Sequence, residues 1–376
     1  MKVSLMQENL AKALGHVIKA VSNRPNIPVL ANVLIETEKT RIKLSATNLE
    51  TGISTWIGAT VAEEGRITVS AKLLSEFVNS LKSGKIDLLM NEQVLEVKSV
   101  DNNAQFFIIP AEDFPGIPEI EGESVLEINA LSFADAISQT AIAAATDESR
   151  PVLTGLLVLA EGKDLTMVAV DGFRLSMKKL KLEKSVGKEK ISEIVPAKAL
   201  MEVERLIRDV AGEEDTVKIY LLGGKNQMLF KVGDVELSTR LIEGKFPDYE
   251  QKIPKEQSHR VKVSKQDVVD MLKVVNIFAR NVVGNKARFG VDTEAKKLTL
   301  AANVIDVGNN ESSIDVTEVQ GDDFETGFNV RFLTDMVGTI KSDNIVFESN
   351  GPTAPGVFLD TKDKNFIHLI MPMRLE

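Results

Sequence analysis

The chain contains no cysteine among its 376 residues, and this excludes disulfides, thiolate metal sites and cysteine nucleophiles. It contains only three histidines, which are scattered at His16, His259 and His368. They form a poor basis for a metal site or a histidine-dependent catalytic triad, so we expect no metal and no cofactor. Aromatic residues make up 5% of the chain, which disfavours a base-stacking platform for single-stranded nucleic acid.

Long apolar runs are also missing. No run approaches the roughly 18 residues that a membrane-spanning helix needs. The opening residues, MKVSLMQENLAK, lack the apolar core of a secretion signal. These features, together with the absence of cysteine, predict a cytoplasmic protein with no membrane partner. The net charge of −10 by itself argues against nucleic acid, because phosphate binding is electrostatic, but net charge does not describe how the cations are distributed.

Catalytic signatures are scarce as well. No phosphate-binding glycine motif of either common type occurs in its required context. The stretch TDES at 146–149 places Asp147 and Glu148 beside a hydroxyl, and one alternative is a hydrolase that uses these two carboxylates. A solvated loop or helix end is the favoured interpretation, so the sequence predicts a protein that is not an enzyme.

Three stretches repeat one pattern along the chain. VSAKLLSEFVNSLKSGKIDLLM starts at Val69, VPAKALMEVERLIRDV at Val195 and FNVRFLTDMVGTIKSDNIVF at Phe328. Each has a small or β-branched start, then a cation, then apolar residues at helical spacing. Strand-like segments precede these stretches, and amphipathic helices open the units at 7–22, 130–146 and 264–281. Three landmarks recurring in the same order indicate an internal repeat.

Each repeat reads as helix, strands, helix and strands, and the strands alternate in hairpin fashion. This pattern is typical of an α+β fold with antiparallel sheets and not of alternating βαβ units. Proline-rich stretches at 110–124 and 243–257 mark the junctions. We therefore predict three domains, which comprise residues 1–122, 123–252 and 253–376.

Cations recur on the polar faces of the predicted helices. The pairs Lys12/Lys19, Lys198/Arg205 and Lys273/Arg280 are each about two helical turns apart, and Lys72/Lys82 and Arg331/Lys341 are spaced about three turns apart. One interpretation is that any solvent-exposed helix face carries lysine. Their recurrence at equivalent places favours a second interpretation, a positive surface for phosphates that reads no base sequence.

Several longer motifs resemble one known family over the whole chain. They are ESRPVLTGLL (148–157), VAVDGFRLS (168–176), EGKFPDYEQKIP (243–254), FNVRFLTDM (328–336) and IMPMRL (370–375). In this order, on three repeats, the chain resembles the bacterial DNA sliding clamp, the beta subunit of DNA polymerase III. The resemblance implies a head-to-tail homodimer whose six domains close into a ring around duplex DNA, with helices lining the hole.

The resemblance also implies a set of partners and sites. The partners are duplex DNA, the polymerase III catalytic subunit, a clamp-loader complex, and other replication and repair proteins that carry clamp-binding peptides rich in Gln, Leu and Phe. The implied DNA contacts are Lys12, Lys19, Arg24, Lys72, Arg150, Lys198, Arg205, Lys273 and Arg280. The implied walls of the peptide pocket, between the second and third domains, are Leu153, Val170, Gly172, Phe173, Arg174, Leu175, Pro247, Leu369, Met371, Pro372, Met373, Arg374 and Leu375. The implied dimer interface includes Phe106, Phe107, Ile108, Ile277 and Phe278.

Three positions depart from the family pattern. Phe173 stands where many members have histidine, which predicts a more apolar and less pH-sensitive pocket edge. Glu250, Gln251 and Lys252 stand where the family often has an arginine after Tyr249. Glu376 follows the usual final leucine, and we expect this extra residue to crowd the pocket mouth. The remaining alternative is a peptide-binding scaffold of the same fold that never encircles DNA.

Overall fold

The structure is a computed structural model that describes residues 1–22, 25–186, 190–223 and 226–375. Two compact units divide the chain. The first comprises Met1–Ala134 and Glu202–Leu241, and the second comprises Asp135–Met201 and Ile242–Glu376. No helix within the described ranges is long and apolar enough to cross a membrane.

The described residues form six α-helices, two in each sequence repeat. Their bounds are α1 Gln7–Val17, α2 Ala71–Ser80, α3 Ala130–Ala141, α4 Ala197–Val210, α5 Lys265–Ala279 and α6 Val330–Thr339. Side chains cap four of them, because Ser70, Asn129, Ser264 and Asn329 accept hydrogen bonds from backbone N–H groups of the first turn. The helices were predicted in these places, but most of them end earlier than predicted. Lys82 and Lys341 therefore lie beyond the ends of α2 and α6, where the backbone has already become extended.

The strands follow the same order in each repeat. Those of the first repeat are β1 Lys2–Met6, β2 Asn32–Glu38, β3 Arg41–Thr47, β4 Thr51–Gly58, β5 Thr60–Glu63, β6 Arg66–Ser70, β7 Lys85–Asn91, β8 Val94–Lys98 and β9 Asn103–Ile109. Those of the middle repeat are β10 Leu126–Asn129, β11 Gly155–Glu161, β12 Asp164–Val170, β13 Arg174–Lys181, β14 Ile191–Pro196, β15 Thr216–Leu222, β16 Gln227–Val232 and β17 Val235–Arg240. Those of the third repeat are β18 His259–Ser264, β19 Lys286–Asp292, β20 Lys297–Val304, β21 Gly308–Gln320, β22 Phe324–Asn329, β23 Asn344–Ser349, β24 Gly356–Asp360 and β25 Asp363–Ile370.

Antiparallel pairing assembles these strands into one large sheet per unit. The first unit holds a 13-stranded sheet and the second a 12-stranded sheet. Within each sheet, the last strand of one repeat pairs with the third strand after the first helix of the preceding repeat. This joint is β17 against β4 in the first unit and β25 against β13 in the second. The repeats are therefore linked by backbone hydrogen bonds as well as by linkers.

The helices bury one apolar stripe each. In α1 the buried residues include Leu10, Leu14 and Val17, which are at most 1% exposed. Burying a side chain of this size stabilises the fold by about 1.5–3 kcal/mol. The third repeat has a core in which Phe289, Phe328 and other phenylalanines pack edge to face. The opposite helix faces are exposed and carry cations as well as a few apolar residues such as Leu73 and Ile277.

Candidate peptide pocket and nucleic-acid contacts

The turn between β12 and β13 forms one wall of a pocket in the second unit. Asp171 Oδ1 accepts hydrogen bonds from the backbone N–H groups of Phe173 and Arg174, at 2.8 and 2.9 Å. Gly172, inside this turn, has φ of +96°, a conformation in which a Cβ atom is strained. A Cβ there would also stand 3.4 Å from the Arg150 guanidinium. The sequence VDG thus specifies a tight turn that brings backbone and Arg150 together.

Arg174 is locked in place by three partners. Its Nε donates to Asp171 Oδ2 at 3.0 Å and its Nη1 to Asp335 Oδ2 at 2.7 Å. Its guanidinium also stacks 4.2 Å from the centroid of the Phe332 ring, a cation–π contact. Arg174 is buried, and a buried charge needs such partners to offset its desolvation. The pocket therefore has one rigid wall, in which the Arg174 charge is balanced by two carboxylates.

The floor of the pocket is apolar. Leu175 on β13 pairs with Leu369 on β25, and both are buried above a cluster that includes Tyr249 and Val357. The cavity measures about 530 Å³, within the range of ligand pockets. Its lining residues are Arg150, Leu153, Val170, Gly172, Arg174, Leu175, Pro247, Asp248, Tyr249, Gln251, Lys252, Pro254, Pro355, Leu369 and Met371. We call this cavity the Met371 pocket.

The structure brings many of the predicted wall residues together, but not all of them. The predicted residues that line the Met371 pocket are Leu153, Val170, Gly172, Arg174, Leu175, Pro247, Leu369 and Met371. Phe173 does not line it and its side chain is largely exposed, while its carbonyl accepts the Met371 N–H at 2.8 Å. The role of each residue in peptide binding stays a prediction.

The tail leaves the pocket after Met371. The Met373 N–H donates to the Gly327 carbonyl at 2.8 Å, and Lys286 donates to the Arg374 carbonyl at 3.1 Å. Leu375 lines a different cavity of about 770 Å³. Pro372, Met373, Arg374 and Leu375 are thus absent from the lining of the Met371 pocket, because backbone pairing with β22 directs the tail elsewhere. Glu376 lies outside the described residues.

Sequence reasoning missed part of the lining. The additional residues are Arg150, Asp248, Tyr249, Gln251, Lys252, Pro254 and Pro355. Most belong to the 243–257 stretch, which was interpreted mainly as a domain junction. Burial and the nearby Glu250 raise the pKa of Tyr249, so its phenol stays protonated at neutral pH and can donate a hydrogen bond. Arg150 lines this pocket and donates to the Asp171 carbonyl at 3.3 Å, and its predicted role as a phosphate contact stays a prediction.

The helix cations differ in how strongly they are engaged. The side chains of Lys72, Lys198 and Lys273 are 82%, 86% and 67% exposed, so each can reach a phosphate. Lys19 and Arg280 are also exposed, just beyond the ends of α1 and α5. Arg24 lies outside the described residues. The predicted DNA contacts at the described positions stay predictions, and the exposed lysines are their most accessible members.

Lys12 and Arg205 belong to a contact between α1 and α4 in the first unit. Lys12 donates to the Asp209 carbonyl at 3.1 Å, and Arg205 to the Gly15 carbonyl at 3.3 Å. Buried His16 lies 2.6 Å from Asp209 Oδ2. Desolvation lowers the pKa of His16, and the hydrogen bond from His16 lowers the pKa of Asp209. These two cations therefore help to hold the helices together as well as present charge.

Similarity to known proteins covers the whole chain. Family models of the three domains of the DNA polymerase III beta subunit match this chain. The N-terminal domain matches residues 1–118, the central domain matches 127–248 and the C-terminal domain matches 250–374. The beta sliding clamp of Synechocystis sp. is 31% identical over 394 aligned residues, with 100% of both chains covered.

The chain belongs to the DNA polymerase III beta subunit family.

Solved structures agree with this family assignment. The polymerase III subunit beta from Pseudomonas aeruginosa is 29% identical, with a TM-score of 0.89 and 100% of both chains covered. The polymerase sliding clamp from Bacillus subtilis has a TM-score of 0.92 at 23% identity and the same coverage, which supports the fold alone. The sliding-clamp family and the α+β fold predicted from the repeats are thereby confirmed.

Both acids of the TDES stretch already have polar partners. Asp147 accepts hydrogen bonds from the N–H and hydroxyl of Ser149, at 3.0 and 2.6 Å. These bonds lower the pKa of Asp147, which opposes a general-acid role at neutral pH. Glu148 lies 3.8 Å from Lys198. Among the described residues, no group of acids and histidines is arranged to hold a metal ion.

Some of the predicted dimer-interface residues are exposed and others are buried. Phe107 on β9 is 86% exposed, whereas Phe106 is buried against Phe77, with ring centroids 5.6 Å apart. Ile108 is partly buried. In the second unit Ile277 is exposed, while Phe278 packs against the core. The interface assignment stays a prediction, and Phe107 and Ile277 are the members that a partner could reach.

Further apolar residues are exposed near the β20–β21 turn of the second unit. Val283, Ile305 and Val307 are each exposed by more than two thirds. Val283 and Ile305 line the same cavity as Leu375. Sequence reasoning missed them because the sequence does not show whether an apolar residue in a turn or a short 3-10 segment faces the core or solvent.

Proposed function

We propose that two copies of this chain form a closed ring that encircles duplex DNA and tethers the replicative polymerase. The observation that carries this proposal is a strand pairing between repeats that would complete the pattern of the sheets but is not made among the described residues of one chain. Two joints exist within the chain, β17 with β4 and β25 with β13. The strands left over are β9, the last strand of the first repeat, and β21, the third strand after the first helix of the third repeat.

Both leftover strands have an open edge. Residues 103–107 of β9 pair only with β8, and β6 adds just Ile108 and Ile109. Residues 308–315 of β21 pair only with β20, and β18 takes the remainder. Open edges of this kind accept another strand. If β9 of each copy joins β21 of the other, the joint occurs twice and the ring closes with every repeat linked to its neighbours.

The exposed apolar residues support this arrangement. By analogy with the joints that exist, Phe107 would face the β20–β21 turn of the partner, where Ile305 and Val307 are exposed. Covering these side chains removes apolar surface from water, which favours association. We therefore infer an apolar dimer joint.

Exposed helix lysines would then supply the DNA contacts, without reading base sequence. The Met371 pocket would receive peptides of the polymerase III catalytic subunit, the clamp loader, and other replication and repair proteins. We propose that this tethering takes place in the cytoplasm and involves no catalysis. The proposed domains are residues 1–122, 123–252 and 253–376. A scaffold that binds peptides but no DNA would not need the helix lysines.

Replacing Phe107 by aspartate should convert the dimer into monomers. Each joint would lose the burial of a phenylalanine, about 1.5–3 kcal/mol, and would place a carboxylate against apolar residues. Because the ring uses the joint twice, we expect the dimer dissociation constant to rise by about 1,000-fold or more. Sedimentation velocity over a concentration series measures this change. Primer extension with the matching polymerase and loader should show correspondingly short products.

Leu221→Asp is a suitable control, because Leu221 is an exposed apolar strand residue in the same unit but not on β9. It should remain dimeric. A Phe107→Asp protein that stays dimeric at the wild-type concentration would contradict the β9–β21 joint. A wild-type chain that is monomeric at micromolar concentration and gives no increase in product length would contradict the proposed function itself.

A further inference from the structure

The first unit contains a second groove on the same scaffold as the Met371 pocket. In the turn between β3 and β4, Asn48 Oδ1 accepts hydrogen bonds from the N–H groups of Glu50 and Thr51, at 3.0 and 2.8 Å. The β12–β13 turn has the same pattern. Leu49 has φ of +76°, and Gly172 at the corresponding place has +96°. The two turns are therefore repeat-related copies.

The neighbouring strand and linker correspond as well. The Arg240 N–H donates to the Glu50 carbonyl at 2.9 Å, just as the Met371 N–H donates to the Phe173 carbonyl at 2.8 Å. A Phe-Pro pair enters each linker, at 114–115 and at 246–247. The resulting cavity measures about 410 Å³. We call it the Arg240 groove.

The two cavities differ in the chemistry of their floors. The strand pair Leu175 and Leu369 lies under the Met371 pocket. The corresponding pair in the Arg240 groove is Gly52 and Ser238. The floor is thus smaller and more polar, so it does not suit a deep Leu or Phe anchor.

The charges of the two cavities are opposite. In the Met371 pocket Arg174 is already paired with Asp171 and Asp335, and the remaining charged lining residues are Arg150 and Lys252 with a single acid, Asp248. The Arg240 groove combines Glu50, Glu119 and Glu121 with a single cation, Arg240. Lys43 lies 3.9 Å from Glu119, but the Glu119 side chain remains 82% exposed. The Glu119 carboxylate is therefore still accessible to a ligand. A ligand of the Arg240 groove should therefore carry positive charge.

Two further features favour a ligand with donors and a small apolar part. Gln227 lines the groove, and its side-chain oxygen has no hydrogen-bond donor among the described residues although it is buried. Buried acceptors without a donor are rare and costly. Leu49 is exposed at the mouth in a backbone conformation that bulky residues rarely adopt. Guanidinium or ammonium donors would match the exposed carboxylate of Glu119, and one apolar side chain would match Leu49.

We propose that the Arg240 groove is a second docking site, which binds an extended peptide segment carrying Arg or Lys beside an apolar residue. This goes beyond the tethering role of the Met371 pocket. Because the two cavities have opposite charge, one peptide would not suit both, and a partner could bind through two different segments.

The test uses the full chain and a fluorescein-labelled peptide of sequence Arg-Leu-Arg-Leu-Arg, with fluorescence anisotropy as the readout. Saturable binding is expected, and the double variant Glu119→Gln/Glu121→Gln should weaken it about tenfold, because it removes two negative charges whose attraction for the probe is partly screened by solvent. The matched control Glu63→Gln/Glu64→Gln makes the same charge change on exposed acids of the same unit and should leave the affinity unchanged.

Three results would overturn the proposal. They are the absence of saturable binding, equal weakening by the groove and control variants, and displacement of the probe by a peptide with Gln, Leu and Phe anchors. The Met371→Asp variant separates this site from the proposed function, because it should retain the Arg-Leu probe at wild-type affinity even when the other peptide is lost.

Discussion

Replacing Met371 by aspartate should weaken binding of a peptide with Gln, Leu and Phe anchors by at least about 30-fold, because a central apolar contact of a short peptide is worth about 2 kcal/mol or more. The new carboxylate would also stand in a cavity lined by Val170, Leu175 and Leu369, where an ionised group loses hydration without a matching partner. Anisotropy with a labelled peptide, at constant ionic strength, measures the loss.

The change should spare the fold, because Met371 is partly exposed and its backbone hydrogen bond to Phe173 does not involve the side chain. Leu375→Asp is the matched control. Leu375 is also an exposed apolar residue of the tail, but it lines the other cavity. It should keep near-wild-type peptide affinity. If Leu375→Asp weakens the peptide as much as Met371→Asp does, the tail residues beyond Met371 belong to the binding site after all.

Reversing the three most exposed helix lysines should abolish detectable binding to linear duplex DNA at moderate salt. The variant is Lys72→Glu/Lys198→Glu/Lys273→Glu. Each lost phosphate contact should reduce the slope of log affinity against log salt by about 0.9, and each new carboxylate adds repulsion. We expect at least about a 100-fold loss for the triple variant at fixed salt. A fluorescent duplex titrated over a salt series provides both quantities.

A control triple variant tests whether position matters. Lys39→Glu/Lys296→Glu/Lys364→Glu makes the same change in net charge on exposed turn and strand residues. It should bind DNA nearly as well as the wild type. Equal losses in the two triple variants would assign the effect to total charge and not to the helix faces. No loss in either variant would favour the scaffold that never encircles DNA.

The repeat architecture was accessible from sequence because its signals are local. A cation followed by a helical apolar stripe marks α2, α4 and α6, and hairpin alternation marks the strands. The tight turn in the VDGFRL motif is also a local feature, since a glycine with positive φ is a property of the turn itself, and the role of this turn in peptide binding stays a prediction. Helix ends were less accessible, because apolar periodicity continues into the short 3-10 helix Ile18–Ala20 after α1 and into the extended backbone after α2.

Side-chain direction at long range was not accessible. The sequence FFII gives no sign that Phe106 packs on Phe77 while Phe107 faces solvent, since strand alternation fixes the two faces but not which one is covered. The resemblance implies Arg150 as a phosphate contact, which stays a prediction, and no local motif shows that its guanidinium lies beside Gly172. After Met371 the tail is held by hydrogen bonds to Gly327 and from Lys286, which no local motif encodes.

The most direct test of DNA encirclement uses nicked circular duplex DNA, a matched clamp loader and ATP. The chain is loaded, the salt is raised until electrostatic binding is lost, and bound protein is measured by gel filtration before and after the circle is cut once. A closed ring predicts retention on the intact circle at high salt and release after cutting, because only topology holds it there. Loss from the intact circle at high salt would contradict encirclement.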